Sequence, residues 1–274
     1  MAAVGDERAV TDPDAGDVRG AAVVVTGAGG GIGAALARSF AAGGARVAVN
    51  DIDAERARAV AREIDGVAVP GDASTVVPAA RRALGGAIDI FCANAGIAPA
   101  GGPEADEDLW AAAWDVNVMA HVRAARDLVP EWLERGRGRF VATVSAAGLL
   151  MMPGSAPYSV SKHAALAFAE WMAATYRHRG ISVHAVCPQG VRTDMLRDAG
   201  PAGQVLLADE AIGPEEVAEA VRAGIAGERF LILPHPRVAE YATARVVDPD
   251  RWLGGMNKMQ RMIEERTRGT AGAV

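Results

Sequence analysis

Apolar runs and helical stripes alternate along this chain, and the period of the pattern changes with them. Ala21-Ala22-Val23-Val24-Val25 is apolar at every position, which predicts a strand over 22–26 buried on both faces. The alanine-rich stretch after a cluster of glycines predicts a helix over 31–42. The same alternation gives a strand over 46–50, a helix over 53–64, a strand over 67–70, a helix near 75–84 and a strand over 88–93. Asp53 reads as the N-cap of the second helix. A Gly/Pro loop over 98–105 precedes a long helix over 106–134, which carries Trp110, Trp114 and Val118 four residues apart. Pro130 is placed to kink that helix or end it early. A strand over 139–144, a helix over 157–178 and a strand over 181–186 follow, and a last strand over 229–233 stops at Pro234-His235-Pro236. Helices near 237–245 and 251–267 complete the chain. The latter shows a narrow apolar stripe of Trp252, Met256, Met259 and Ile263.

Strands that alternate with helices predict an α/β fold. The expected form is a doubly wound parallel sheet of Rossmann type, one domain with helices on both faces and right-handed crossovers. A ligand then belongs beyond the carboxyl ends of the strands. Residues 1–18, rich in Asp, Ala and Gly, are expected to form a mobile extension, leaving 19–274 as the single domain. A length of 274 residues is ample for one such domain.

The glycines after the first strand carry the first chemical signal. Thr26-Gly27-Ala28-Gly29-Gly30-Gly31-Ile32-Gly33 lies between a β-branched strand and a helix. Glycines there permit a tight turn and let the backbone approach a phosphate, and the helix start offers unpaired N–H groups and a positive dipole end. Asp51 ends the second strand, 18 residues after Gly33. A carboxylate at that place accepts hydrogen bonds from an adenosine ribose and repels a 2′-phosphate. Position 52 is isoleucine, no basic residue follows it at once, and none lies in the glycine turn, so the pattern favours NAD over NADP.

The second signal is Tyr158-Ser159-Val160-Ser161-Lys162. Residues at i and i+4 share one helical face, so a phenol stands beside an ammonium. The cation is expected to favour phenolate and lower the tyrosine pKa from ~10 by ~3 units, about 4 kcal/mol of differential stabilisation. Such a phenol passes a proton to or from an alcohol oxygen near neutral pH.

Composition narrows the field. A net charge of −6 argues against nucleic-acid binding through a general electrostatic footprint. No run of ~20 uncharged apolar residues predicts a membrane span, and the N-terminus lacks the basic start and apolar core of a signal peptide. Cys92 and Cys187, at strand ends without CxxC spacing, read as buried free thiols suited to a reducing cytoplasm. The five histidines show no ligand spacing, so no catalytic metal is expected, and His163 reads as structural or exposed.

Together these residues resemble the short-chain dehydrogenase/reductase family in its classical form, over about 20–230. Thr26-Gly27-x-x-x-Gly31-x-Gly33, Asn94-Ala95-Gly96, Asn117, Ser145 at 13 residues before Tyr158, and the Tyr158/Lys162 pair match its motifs in order. The resemblance implies a catalytic set of Asn117, Ser145, Tyr158 and Lys162. Tyr158 would be the general acid/base. Ser145 would hold the substrate oxygen, Lys162 would also bond the nicotinamide ribose, and Asn117 would support a water chain. It implies a dinucleotide, NAD by the reading of Asp51, held by several segments. These are Gly27, Gly30, Gly31, Ile32 and Gly33, then Asp51 and Ile52, Asp72 and Ala73, Asn94, Ala95 and Gly96. Tyr158, Lys162, Val191 and Thr193 complete that set. The family usually shows Pro-Gly after the sixth strand, whereas this chain reads Pro188-Gln189-Gly190, which aims an amide at the site. Residues 190–215 would form a substrate lid and 235–274 a helical extension. Ser145, Leu149, Met151, Tyr158, Gln189, Met195 and Leu196 would line an apolar substrate pocket, with Val205, Leu206 and Leu207 following. The expected activity is hydride transfer between NAD and a medium or bulky, mostly apolar secondary alcohol or ketone, in a homotetramer or dimer whose helices 106–134 and 157–178 pair. A non-catalytic NAD-binding regulatory module would need the glycine turn and Asp51 but not Ser145, Tyr158 and Lys162 together. An epimerase would need a larger sugar-binding lobe than this chain allows.

Overall fold

The structure, a computed structural model, describes residues 16–199, 203 and 206–271; residues 1–15 and Val205 of the expectations above lie outside the described residues. Seven parallel strands form one sheet in the order β3-β2-β1-β4-β5-β6-β7. They are β1 Ala22–Val25, β2 Arg46–Val49, β3 Val67–Ala68, β4 Ile90–Ala93, β5 Gly138–Thr143, β6 Ile181–Val186 and β7 Leu231–Ile232. The order reverses between β2-β1 and β4-β5, so the carboxyl ends of β1 and β4 flank a topological switch point.

The period-2 geometry of β1 explains its unbroken valines. Val23 and Val25 pack on one face of the sheet with α1 (Gly31–Ala42), α2 (Ala54–Glu63) and Pro214–Ala226. Ala22 and Val24 pack on the other with α3 (Val76–Leu84), Ala120–Arg135 and Ala156–Tyr176. Both faces are covered, so both sets are apolar. Asp53 caps α2, its carboxylate accepting from Glu55 N at 3.0 Å and Arg56 N at 3.1 Å. Val18, expected within the mobile extension, is buried at 1% exposure, and Arg222 donates to the Gly16 carbonyl, so residues 16–18 belong to the packed body.

Two elements differ from the pattern-based expectation. The helix expected over 106–134 is α4 (Glu107–Trp114) and α5 (Ala120–Arg135), joined by a π turn over Asp115–Met119 in which the Ala120 N–H reaches the Asp115 carbonyl. An extra residue in a helical turn leaves no trace in a stripe of apolar spacing, and such turns recur at functional sites. Pro130 does not end α5, which runs to Arg135 and closes on Gly136 at φ +64°. Beyond α6 (Ala156–Tyr176) and the short α7 (Asp194–Arg197), Pro214–Ala226 is a helix, α8, where no element was expected. Its start places Pro214 in the first turn, where the missing N–H costs nothing, and Glu216 accepts from Gly213 N at 2.6 Å. α9 (Arg237–Val247) and α10 (Pro249–Ala271) follow β7.

Trp132 anchors α5 to the sheet. It is fully buried, its Nε1–H donates to the Ile88 carbonyl at 2.7 Å, and Gly138 makes room for it, since a Cβ there would lie 2.2 Å from the indole. Trp132→Ala is expected to cost about 3–5 kcal/mol in urea unfolding, through the cavity and the lost hydrogen bond to the Ile88 carbonyl, which keeps Arg135 Nη1 as a partner. A loss under about 1 kcal/mol would contradict this packing.

Candidate active site

The glycine turn is braced at the switch point. Thr26 Oγ1 accepts from Asn94 N at 2.9 Å and Ala95 N at 3.0 Å, and donates to the Cys92 carbonyl at 3.2 Å. Asn94 Nδ2 donates to the Thr26 carbonyl at 2.9 Å. Gly27 adopts φ +61°, and a Cβ on it would lie 2.9 Å from Ala95 Cα. Gly30, Gly31 and Ile32 open onto a cleft of about 860 Å³, and α1 begins without a side-chain cap. Gly33 does not line that cleft. A Cβ there would lie 2.2 Å from the Gly27 carbonyl, so this glycine lets the helix pack against the turn instead of touching a ligand.

Asp51 and the exposed Ile52 line one end of the cleft with Asp72 and Ala73. The Asp51 carboxylate accepts from Gly29 N at 2.8 Å and Asp53 N at 3.0 Å. Asn50 ties the end of β2 to the loop that bears Asp72, donating to the Val69 and Gly71 carbonyls at 2.8 and 2.9 Å. The fold also delivers a cation that the sequence reading passed over. Arg56, on α2, donates to the Gly29 carbonyl at 3.3 Å and to Asp194 at 2.9 Å, bridging the glycine turn to α7 beside the cleft. Its spacing of five after Asp51 on a capped helix was the available signal. Arg56, then Arg197, hold the Asp194 carboxyl below its usual range.

Asn94, Ala95, Gly96, Val191 and Thr193 line the middle of the cleft, and Ser145, Tyr158 and Lys162 line its floor. Lys162 is 3% exposed, and its Nζ donates to the Thr143 carbonyl at 3.0 Å. Gly96 is needed at this point, because a Cβ would lie 3.1 Å from Asn117 Oδ1 and 3.3 Å from Lys162 Nζ. Asn117, buried in the π turn, does not face the cleft. Its amide donates to the Ile97 carbonyl and to Ser161 Oγ, each at 2.9 Å, and its Oδ1 accepts from Ile97 N at 2.9 Å. The side chain thereby pins the loop after β4 to α6, one residue from Lys162.

The electrostatics correct one expectation. Burial pushes the Tyr158 phenol above its ordinary value, opposed by a hydrogen bond with Ser145. Burial also pushes Lys162 down to about 8. Nζ lies 5.7 Å from the phenol ring centroid and spends a donor on Thr143, so desolvation of both groups outweighs their attraction. The phenol is therefore protonated at neutral pH. Lysine is itself informative here. The chain holds two lysines, Lys162 and Lys258, among 28 basic residues. Lysine, unlike arginine, is a compact charge whose pKa moves on burial.

The far end of the cleft is apolar. Met151, Met195 and Leu196 line it as expected, with Leu206 and Leu207, whereas Leu149 turns into the core beneath α6 and leaves its place to Leu150 and Met152. Gln189 reaches the cleft, and its buried Oε1 has no hydrogen-bond partner. Tyr241, Trp252, Met256 and Met259, from α9 and α10, complete the wall. The apolar stripe of α10 was visible in the sequence, but the surface it faces was not.

The residues fit a dinucleotide. A glycine-lined turn at an uncapped helix start adjoins a carboxylate at one end and an apolar, lysine-floored chamber at the other. Known proteins bear on this geometry. The sequence profile of the short chain dehydrogenase family matches residues 21–203. The 1-deoxy-11-beta-hydroxypentalenate dehydrogenase of Streptomyces exfoliatus is 36% identical over 226 residues, 77% of this chain and 82% of its own. The 2,5-dichloro-2,5-cyclohexadiene-1,4-diol dehydrogenase of Sphingobium indicum is 36% identical over 67% of this chain and 77% of its own. The crystal structure of a short chain dehydrogenase/reductase from Burkholderia phymatum in complex with NAD superposes with a TM-score of 0.78 at 26% identity, covering 85% of this chain and 95% of that one.

Lys162 yields a test of the site without turnover. The unfolded chain keeps the lysine proton up to pH ~10.4, whereas the folded site releases it near 8. Between these values the unfolded state binds more protons, so this site's contribution to stability rises with pH, and below about 8 its cost is fully present. Lys162→Met is expected to be more stable than wild type at pH 7, by on the order of 1–3 kcal/mol, with the advantage shrinking toward pH 10. Chemical denaturation across this range checks it; a variant less stable than wild type at pH 7 would overturn the assignment.

Proposed function

Because the chain belongs to the short-chain dehydrogenase/reductase family, we propose that it is an NAD-dependent alcohol dehydrogenase or carbonyl reductase. Its substrate in this reading is a medium or bulky, mostly apolar secondary alcohol or ketone. One observation carries the proposal: a single cleft collects Asp51, the glycine turn and the cluster of Ser145, Tyr158 and Lys162. Relatives named for a hydroxypentalenate and a cyclohexadienediol, both cyclic alcohols, support the substrate class. So does the apolar chamber walled by methionines, which adapt to irregular shapes.

A bound nicotinamide dinucleotide supplies the hydride acceptor or donor. The glycine turn and the start of α1 would hold its phosphates, Asp51 would accept from its adenosine ribose, and Lys162 and Thr193 would hold its other end. The chain manages the oxygen and the proton. Ser145 Oγ positions the substrate oxygen beside the phenol. In reduction Tyr158 Oη gives its proton to that oxygen; in oxidation it takes the proton back. Lys162 places a positive charge 5.7 Å from the phenol ring, so the phenolate left by reduction is stabilised when it forms. Asn117 acts at a distance by fixing Ile97 and α6.

The exposed Trp114, Val160 and Trp171 on α4 and α6 favour pairing of these helices between copies in a homo-oligomer. The buried free Cys92 and Cys187 suit a reducing cytoplasm. Among the described residues, no helix is long and apolar enough to cross a membrane.

Absorbance of the reduced nicotinamide with a panel of secondary alcohols tests the proposal. Tyr158→Phe is expected to lower kcat/KM by ~10²–10⁴; equal turnover in both proteins would remove the proton path. NAD is expected to bind more tightly than NADP, and Asp51→Asn to narrow the gap; tighter NADP binding would reverse the cofactor assignment. The raised phenol pKa adds a pH signature. Oxidation needs the phenolate, so its kcat/KM should still climb through pH 8 to 10, whereas reduction uses the protonated phenol and should not. An oxidation profile already flat below ~pH 7 would contradict the raised value.

A further inference from the structure

The C-terminal helices carry an inference that rests on this reading and goes beyond it. α9 and α10 contribute Tyr241, Trp252, Met256 and Met259 to the cleft, yet among the described residues they pack chiefly against each other. Val238 and Ile263 are their buried hydrophobic side chains among the described residues, while Val246, Val247, Leu253 and Met262 are exposed by half or more. With so little core among the described residues, the polar contacts of the pair carry weight in its attachment.

Arg245 makes the central ones. Its Nη1 donates to the carbonyl of Leu149, in the loop that follows Ser145. The same nitrogen lies 3.0 Å from His163 Nε2, next in sequence to Lys162. The histidine is prepared for this contact. Its Nδ1 lies 2.9 Å from the Ser159 carbonyl, an acceptor, so Nδ1 carries the proton and Nε2 offers its lone pair to Arg245. The guanidinium also covers the Trp252 ring at 5.5 Å, a cation–π contact that fixes the indole against the cleft. At the base of α9, Arg237 pairs with Glu210 and His235 Nδ1 accepts from Gln189 N at 3.1 Å. The base is thus tied to the lid segment, and the far end of α9 to the segments that bear the serine and the lysine.

We propose that α9 and α10 form a movable roof over the substrate chamber and that Arg245 is the positioning residue that latches it. The latched roof presents Trp252, Met256 and Met259 as an uncharged wall. The substrate class it selects is an apolar secondary alcohol large enough to touch that wall, as opposed to a small alcohol that reaches only Ser145 and Tyr158. Release of the latch weakens binding of the large alcohol and leaves the chemistry of the small one in place.

Hydrogen exchange and kinetics on Arg245→Met, Arg245→Lys and Met256→Ala/Met259→Ala test this. In Arg245→Met, amide exchange in α10 is expected to rise ~10-fold or more, with exchange in α6 unchanged. With NAD and 2-decalol the KM should rise ~10-fold at similar kcat, whereas kcat/KM for cyclohexanol should change less than ~2-fold. Arg245→Lys keeps the charge but cannot reach both acceptors and stack on Trp252, so it should fall between wild type and Arg245→Met. The double methionine variant should lose 2-decalol affinity without faster exchange. Unchanged α10 exchange in Arg245→Met, or equal losses for both alcohols, would overturn the latch. The exchange arm needs no turnover, so a wild-type protein inactive on either alcohol would count against the functional reading and leave the latch to be decided by exchange alone.

Discussion

A buried ammonium with no carboxylate partner among the described residues sets the terms for this structure. Lys162, on α6, is buried beside the end of β5, where its Nζ donates to the Thr143 carbonyl. Taking a charge out of water is costly, and folded proteins ordinarily offset it with an opposite charge. Here the surroundings are shaped to keep the amine in place. Gly96 leaves room for Nζ, Asn117 in the π turn locks the adjacent loop to α6, and Thr143, the last residue of β5, presents its carbonyl to Nζ. The arrangement lowers stability and retains a proton-exchanging amine beside a phenol, the exchange of stability for chemistry seen at functional sites.

The sheet topology turns that local feature into a site. Strand order reverses at β1 and β4, so the loops after them diverge and leave a groove above the carboxyl ends. The glycine turn lies on one side of the groove and Ser145, Tyr158 and Lys162 on the other. The strands fix their separation, so the two motifs need no contact to cooperate. Arg56 and Asp194 then bridge the outer edge, tying α2 to the segment after β6. Exposed as it is, that ion pair contributes little stability.

Much of this was legible from residue order. The strands and most helices followed from apolar runs and stripes, because a sheet covered on both faces requires valine and alanine at successive positions. The glycine turn, Asp51 and the Tyr158/Lys162 spacing were readable because each is local. What escaped was relational. The π turn at Asn117 does not disturb apolar spacing, and α8 begins at Gly213-Pro214, residues that read equally well as loop. Leu149 turns into the core and Leu150 and Met152 line the chamber through the path of a loop that no periodicity encodes. Arg56 reaches the glycine turn only through the packing of α2. The sense of the Tyr158 shift was misjudged for a related reason: spacing reveals the neighbouring cation but not how far both groups are desolvated.

The central claim concerns one amine, and the scarcity of lysine makes it measurable. With two lysines in the chain, lysine-selective isotope labelling gives two side-chain resonances, and the exposed Lys258 serves as the internal reference. Titration by NMR, with Lys162→Met to assign the signals, reads the buried amine directly. The account predicts a resonance that loses its proton near pH 8 and is missing from the variant. A Lys162 resonance that titrates at or above the ordinary ~10.4 would contradict it.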